Sequence, residues 1–309
     1  MAKLVLRGSA IFLVFHGKVD MTPEGMARSL RISMRIMVVA AALGSGHLRA
    51  RAETPPLSNA QIARETSDPT SDLWYLFTEA ALTTEPGREF KKSNTATLEF
   101  QPSLPLTLGN SWRILNFPDL TLASEGTPSG QQINGIKSFS WMPAISPPAR
   151  QNGFAWGVGP YLVFPVATAS ALGESLWQVG PGAVISWRSP NFVTSALIQS
   201  GWTASGDGEE AGSLRIQYNI QYFIGDGFQV GLGRPRVEYT WGRDRDGEWD
   251  LPVGLDVGKV FRLGKMPVKV LLEYDFYMLN DSRWKPEHLI RVTFIPVLRN
   301  PFGASSEEN

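Results

Sequence analysis

The chain has 309 residues, 29 acidic and 29 basic side chains, and no cysteine. Because nucleic-acid-binding domains normally present a basic surface, the neutral net charge argues against that class of function. Without cysteine, disulfides, thiol catalysis and cysteine-ligated metal sites are excluded. The 30 glycines, 22 prolines and 10 tryptophans favour an all-β protein with many turns. No apolar run approaches the ~18 residues of a transmembrane helix.

The first 52 residues have the features of an export signal. Basic residues follow Met26, residues 36–43 form a short apolar core, and residues 50–52 offer an A-x-A cleavage site. We therefore predict that residues 1–52 are a signal peptide preceded by an over-long start, and that translation begins at Met26 or Met34. The alternative interpretation is a disordered or anchoring tail.

Residues 53–72 are predicted to form a periplasmic segment in front of the main domain. Ser58 and Gln61 have the spacing of a helix capping box, so a short helix is expected over residues 60–65. At the other end of the chain, residues 299–309 are predicted to form a polar tail.

Alternation of apolar and polar residues marks the main domain, residues 73–298, and is clearest between Ser213 and Tyr222. Successive side chains of a β-strand point to opposite faces, so this stretch predicts a strand with one apolar and one polar face. The same pattern predicts about 12 antiparallel strands, an even number typical of bacterial outer-membrane barrels. Their approximate ranges are residues 73–83, 93–104, 111–122, 133–142, 153–166, 175–187, 191–203, 213–224, 228–241, 249–261, 267–279 and 287–298.

Four prolines interrupt this pattern. Pro160, Pro165, Pro181 and Pro235 fall within predicted strands, where proline removes a hydrogen-bond donor. We expect strand ends or bulges at these positions, with a bulge near Arg234-Pro235, where the alternation changes phase.

Alternation alone does not decide which face meets water. A water-soluble barrel or sandwich turns its apolar face inward, whereas a membrane barrel turns that face to lipid and encloses a polar lumen. Aromatic residues near predicted strand ends favour the membrane arrangement, because membrane barrels carry aromatic girdles at both interfaces. The alternative is that aromatics are simply good strand formers. These aromatics are Phe154, Trp156, Trp177, Trp187, Trp202, Tyr239, Trp241 and Trp249.

In the membrane arrangement, the alternation predicts two sets of site residues. The predicted lipid-facing residues are Leu214, Ile216, Tyr218, Ile220, Tyr222, Val270, Leu272, Tyr274 and Phe276. The predicted lumen-lining residues are Glu99, Arg215, Gln217, Asn219, Gln221, Glu238, Asp256, Glu273, Asp275 and Arg291. Charges of both signs in a lumen could set the selectivity of a pore, or they could form salt bridges that only hold the barrel together.

Four sequence blocks resemble a known family. They read A-R-E-T-S-D-P-T-S-D at residues 63–72, W-G-V-G-P-Y-L-V-F-P at residues 156–165, W-Q-V-G-P-G at residues 177–182 and G-K-V-F-R-L-G-K-M-P-V at residues 258–268. This set resembles the outer-membrane family named for the MetA pathway of phenol degradation, whose members are often labelled neuromedin U. The resemblance implies an outer-membrane β-barrel that passes small, aromatic or hydrophobic, compounds.

Enzymatic chemistry finds little support in the sequence. His16 and His47 fall in the predicted signal segment, which leaves His288 as the one histidine of the predicted domain. A hydrolase triad would need His288 on the outer face beside a serine, and a histidine-rich metal site is excluded by number. We predict no catalytic residue, no metal site and no cofactor.

The sequence therefore predicts an all-β fold, an antiparallel transmembrane β-barrel of about 12 strands with a short N-terminal helical segment. We expect export through the periplasm to the outer membrane of a Gram-negative-type bacterium, and passive passage of small compounds through a monomer. The expected partners are outer-membrane lipid, the barrel-assembly machinery and a small permeant, with no nucleic acid. Three other interpretations stay open: a non-conducting structural barrel, a soluble periplasmic ligand-binding barrel and a barrel enzyme that uses His288.

Overall fold

The structure, a computed structural model, divides into two units, Met1–Pro55 and Pro56–Asn309. The first unit contains an antiparallel sheet in the order β1 (Ala2–Arg7), β2 (Ala10–Phe15) and β3 (Arg35–Met37). The predicted cleavage site at residues 50–52 and the predicted polar tail lie outside the described residues, so both stay predictions. The described residues are 2–7, 10–15, 35–37, 57–84, 94–108, 112–126, 132–147, 152–173, 175–207, 210–242, 247–264, 266–280 and 287–298.

The second unit begins with the predicted short helix, α1 (Asn59–Glu65). Its capping box is present, because the Ser58 hydroxyl accepts from the Gln61 backbone N–H at 3.2 Å and the Ser58 backbone N–H donates to the Gln61 side chain at 2.8 Å. Among the residues that the structure describes, no helix is long and apolar enough to cross a membrane.

Strands make up most of the rest of this unit. They are β4 (Trp74–Thr84), β5 (Asn94–Ser103), β6 (Leu106–Leu108), β7 (Trp112–Gly126), β8 (Gln132–Ser146), β9 (Phe154–Phe164), β10 (Ser175–Arg188), β11 (Phe192–Asp207), β12 (Glu210–Ile224), β13 (Phe228–Gly231), β14 (Arg236–Gly242), β15 (Glu248–Leu263), β16 (Met266–Asn280) and β17 (His288–Leu298). β5 and β6 run along the same neighbour, β7, and β13 and β14 run along the same neighbours, β12 and β15.

The sheet closes on itself into an antiparallel barrel of twelve strands, when β5 with β6 and β13 with β14 are each counted as one broken strand. β17 pairs with β4, and β12 pairs with β11 on one side and with β13 and β14 on the other. The predicted fold class and the predicted strand number are confirmed. Closure leaves no free strand edge, so no row of backbone donors and acceptors is left without a neighbour.

The two faces of the closed sheet differ sharply in polarity. On β12, Gln217 and Asn219 are buried, whereas Tyr222, on the opposite face, is half exposed. Large apolar side chains are exposed on other strands as well, with Leu255 on β15 at 65% and Met278 on β16 at 63%. Many charged and amide side chains therefore point into the barrel, and many large apolar side chains point away from it, although Lys259 on β15 is exposed on the outer face.

The two Gly/Pro blocks of the sequence lie side by side on β9 and β10. Pro160 is paired with Pro181, and Gly159 with Gly182. A side chain at Gly159 would overlap the carbonyl oxygen of Pro143 on β8. Glycine on the inward face therefore allows the wall to curve tightly where three strands approach closely.

The expectation of a strand end or bulge is wrong for Pro160 and Pro181, which lie inside strands paired in continuous register. The other two prolines lie at strand ends, as expected. Pro165 follows the last residue of β9, and Pro235 precedes the first residue of β14. In place of the predicted bulge near Arg234-Pro235, residues 232–235 separate β13 from β14. Gly233 has a φ of 73° in this break, a left-handed conformation that favours glycine.

We predict that Gly159→Ala destabilises the barrel much more than Gly157→Ala. Both glycines face inward on β9, but a Cβ at Gly157 would lie 3.2 Å from the Ile145 carbonyl oxygen, a tight contact that a shift of a few tenths of an ångström relieves. At Gly159 the backbone of β8 itself must move, which should cost about 1–3 kcal/mol. The midpoint of urea unfolding in detergent micelles measures the difference, and equal midpoints for the two variants would contradict the close approach of β8 and β9.

Candidate functional site

The barrel interior is the candidate functional site, because the charged side chains of the strands converge there. Eight of the ten residues predicted to line a lumen are buried, and the other two, Arg215 and Glu238, are partly buried and form an ion pair at 3.1 Å. The eight are Glu99, Gln217, Asn219, Gln221, Asp256, Glu273, Asp275 and Arg291.

Arg291 on β17 is the centre of one charged cluster. Its guanidinium lies 2.6 Å from Glu273 and 3.6 Å from Glu79, and it also contacts Asp275. Glu79, on β4, is absent from the predicted set, although it continues the inward face of Phe77 and the alternation could have found it. One buried guanidinium is therefore the shared cationic partner of three buried carboxylates, in keeping with the rule that buried charges are paired.

Asp256 on β15 holds a second cluster together. Its carboxylate accepts from the Gln221 side chain at 2.8 Å, from the Gln229 side chain at 3.2 Å and from the Gly233 backbone N–H at 2.9 Å. The last of these bonds comes from the break between β13 and β14. The break thus lets the backbone turn its N–H groups toward inward-facing carboxylates. The backbone N–H of the following residue, Arg234, likewise donates to the Glu273 carboxylate at 2.7 Å.

Ion pairs also cross the lumen between strands that are not neighbours. Arg236 on β14 lies 2.9 Å from Glu99 on β5 and 3.6 Å from Asp119 on β7. Arg215 on β12 reaches the hydroxyl of Tyr161 on β9 at 3.4 Å. The contacts of Arg236 narrow the interior, because they join opposite parts of the wall.

Part of the inner wall of β7 to β10 is apolar, although charged residues of β7 such as Arg113 and Glu125 are buried there as well. A buried cluster there comprises Leu115, Met142, Ala144, Tyr161 and Val184. The sequence-based expectation was a polar lumen, and it missed this apolar patch because several of these strands carry apolar residues on both faces. The interior is therefore two-sided, with the apolar patch opposite the charged residues of β12 to β17 and β4 to β5.

Residues 57–72, which we call the plug segment, pack inside one end of the barrel. Ile62 and Ala63 of α1 form a buried cluster with Val193 on β11, Phe223 on β12 and Val260 on β15. Burial of an apolar helix face against strands from different parts of the wall fixes the helix within the opening.

Polar contacts fix the rest of the plug segment. The Lys269 ammonium donates to the Ser67 hydroxyl at 2.6 Å, and the Asn219 side-chain amide donates to the Ser67 carbonyl at 2.6 Å. On the other side of the barrel, Arg113 pairs with Asp72 at 2.6 Å. These anchors come from β16, β12 and β7, so the plug segment spans the opening. The sequence predicts residues 53–72 as a periplasmic segment with a short helix, and it does not indicate whether that segment enters the barrel.

A cavity lies between the plug segment and the narrow part of the interior. Its volume is about 60 Å³, and its lining includes Ser67 of the plug segment, Phe77, Asn219, Arg234 and Arg236. Polar, charged and aromatic side chains thus meet in one small space.

The nine predicted lipid-facing residues lie on the outward face of β12 and β16. Tyr222, Leu272, Tyr274 and Phe276 are about half exposed, at 45–51%. Leu214, Ile216, Tyr218, Ile220 and Val270 are partly exposed between their neighbours. Whether lipid covers this face stays a prediction.

His288 also lies on the outer wall. Its Nδ1 atom is 2.8 Å from the Tyr274 hydroxyl, and its ring packs against the rings of Tyr274 and Phe276. The structure therefore places an aromatic hydroxyl next to this histidine, an arrangement that suits an aromatic rim of the wall.

Comparisons with known proteins agree on the fold. The chain is similar to an outer-membrane channel from Pseudomonas putida F1, with a TM-score of 0.55 and 13% identity over 73% of this chain and 94% of that chain. The likeness to the NanC porin (TM-score 0.43, 10% identity, 73% and 99% covered) and to the KdgM porin (TM-score 0.37, 10% identity, 73% and 99% covered) is too slight to carry weight. No family model matches the chain, and no curated protein matches its sequence. The resemblance to the phenol-degradation family therefore stays a prediction.

We predict that Arg291→Met lowers the free energy of unfolding by about 3–5 kcal/mol, because it leaves buried carboxylates without their counter-charge. Arg215→Met is the matched control, since Arg215 forms an ion pair with one carboxylate and is more exposed. Urea unfolding of both variants in the same micelles, followed by tryptophan fluorescence, measures the difference. A smaller loss for Arg291→Met than for Arg215→Met would contradict the central role of Arg291.

Proposed function

We propose that this barrel is an outer-membrane channel for passive passage of small compounds. The observation that carries the proposal is the direction of the two faces of a closed sheet: many charged side chains point inward and many large apolar side chains are exposed outward. A soluble barrel would pay heavily for so much apolar surface in water, whereas a bilayer removes that cost. The similarity in fold to the Pseudomonas putida F1 channel supports the same interpretation.

The aromatic residues support a membrane position for the wall. At one end of the barrel, ring contacts join Phe139, Phe164 and Trp177, and a second series joins Trp202, Trp241, Tyr239 and Trp249. At the opposite end, Trp187 packs against Phe192. Amphipathic rings favour the two interfaces of a bilayer, so belts at both ends fit a barrel that spans one.

Passage would follow the two-sided interior. A permeant with an apolar body and one polar group would contact the apolar patch and the charged residues at the same time. The plug segment closes one end, so conduction requires that residues 57–72 move away from the opening. The proposal includes insertion as a monomer by the barrel-assembly machinery and small aromatic or hydrophobic permeants, which the family resemblance suggests.

The plug segment and the cross-lumen ion pairs also favour a second candidate, a structural barrel that does not conduct. In that case the charges of the interior serve stability alone. Conductance measurements separate the two candidates, because both place the same barrel in the same membrane.

One prediction of the proposed function concerns the cellular location of the protein. We expect the protein in the detergent-extracted outer-membrane fraction, with a gel mobility that changes on boiling because a closed hydrogen-bonded barrel resists unheated detergent. Subcellular fractionation and paired boiled and unboiled gel lanes measure both properties. Recovery in the soluble periplasmic fraction would instead support a ligand-binding barrel.

Another prediction of the proposed function concerns conduction through planar lipid bilayers. Ile62→Asp should raise the conductance several-fold, because burying a carboxylate against Val193, Phe223 and Val260 expels α1 from the opening. Ala60→Asp is the control, since it adds the same charge to the first turn of the same helix, where a carboxylate is favourable. Equal conductance of the two variants would contradict a gating role, and no conductance from either folded variant would favour the structural barrel.

A further inference from the structure

The cavity above the plug segment combines groups that together recognise one chemical class. We infer that it binds a small hydroxycarboxylate, with Arg234 holding the carboxylate and Asn219 accepting a hydrogen bond from the hydroxyl. This inference goes beyond the proposed function, because it concerns a ligand site in the same interior that can exist whether or not the barrel conducts.

Arg234 supplies the positive charge. Its side chain donates to the amide oxygens of Gln101 and Gln217, both at 3.3 Å, and lies over the Phe77 ring at 4.0 Å. In the part of the chain that the structure describes, its guanidinium forms no ion pair with a carboxylate. A guanidinium with N–H groups still open is well suited to bind a carboxylate, often through two parallel hydrogen bonds.

The nearby carboxylates already have partners. Glu273 accepts from Arg291 at 2.6 Å, and Glu99 accepts from Arg236 at 2.9 Å and also from Gln101. Asp119, which lines the cavity, lies 3.6 Å from Arg236. Among the described residues, Arg234 is thus the arginine of the cavity wall that forms no direct ion pair, so its open N–H groups can bind a ligand.

Asn219 supplies an independent observation. The side chain is 5% exposed, its amide nitrogen donates to the Ser67 carbonyl at 2.6 Å, and its Oδ1 atom has no hydrogen-bond partner among the described residues. A buried acceptor without a donor costs free energy, which a ligand hydroxyl would recover. Gln217, which accepts from Arg234, lies two residues before Asn219 on the same face of β12, so the two ligand contacts are neighbours.

The size of the cavity limits the ligand. A volume of about 60 Å³ holds roughly four to six water molecules. Glycolate, a two-carbon hydroxycarboxylate, replaces such a cluster with its own oxygens. The Phe77 ring and the other apolar lining would cover its carbon atoms.

Titration calorimetry on the full-length protein in detergent micelles tests the inference with four small probes. Glycolate should bind saturably. Acetate, which lacks the hydroxyl, should bind about threefold to tenfold more weakly, and uncharged ethylene glycol should not bind. Ethanolamine keeps the hydroxyl but carries a positive charge, so binding of ethanolamine in preference to glycolate would overturn the inference, as would the absence of saturable heat with glycolate.

Substitution locates the site. Arg234→Gln should weaken glycolate binding at least about tenfold, whereas Arg215→Gln should leave it unchanged, because Arg215 is an inward arginine that is not part of the cavity lining. Equal losses in the two variants would overturn the assignment. The gel mobility of Arg234→Gln before boiling shows whether this variant folds. If it does not fold, calorimetry of the unchanged protein with the four probes still tests whether the cavity binds glycolate.

The outcomes separate the two proposals. Glycolate binding without conductance from the Ile62→Asp variant keeps the ligand site and removes the channel. Conductance without glycolate binding keeps the channel and overturns the ligand site.

Discussion

In a closed sheet, each strand has a neighbour on both sides, and each side chain must point either into the barrel or away from it. The pairings of β17 with β4 and of β12 with β11 complete that closure. A shift by one residue in any pairing would exchange the two faces of a strand. The position of Arg291 inside and of Tyr222 outside therefore depends on closure and register together.

Placing many charges inside a closed wall has a physical cost that the interior must offset. Two sets of contacts between nearby strands offset part of this cost. In one, Arg291 pairs with carboxylates; in the other, Asp256 accepts hydrogen bonds from side-chain amides and a backbone N–H. The ion pair between Arg236 and Glu99 offsets buried charge in the same way, but it reaches across the lumen. The same requirement extends to the plug segment, because Lys269 and Asn219 find their partners on Ser67. The polar interior and the closed end of the barrel are thus parts of one network.

The Gly/Pro blocks have a structural explanation that does not require a binding role. Proline lacks the backbone N–H of a regular strand, and glycine lacks the side chain that would fill an inward position. Pro160 opposite Pro181, and Gly159 opposite Gly182, place both features at one part of the wall. The apolar patch lies at the same strands, and Met142 packs against Gly182. Close approach of the strands therefore shapes the apolar side of the interior.

The approximate strands, their number and the helix start could be predicted from the sequence, because these depend on local properties, whereas the breaks between β5 and β6 and between β13 and β14 could not. The alternation in β12 has a period of two, and the Ser58–Gln61 capping box lies within one helical turn. Glu79 could have been assigned to the interior by the same alternation. On β9 and β10 the sequence was less informative, because apolar residues or glycine occupy both faces.

Contacts between residues that are distant in the chain could be seen only in the tertiary structure. The pairing of Arg236 with Glu99, the cavity that brings Arg234 near Asn219, and the insertion of residues 57–72 all join positions far apart in the chain. Nothing in the local pattern of residues 57–72 distinguishes a helix inside a barrel from one outside it. Those contacts depend on closure of the sheet and on the balance of buried charge, which are properties of the whole barrel and not of any single strand.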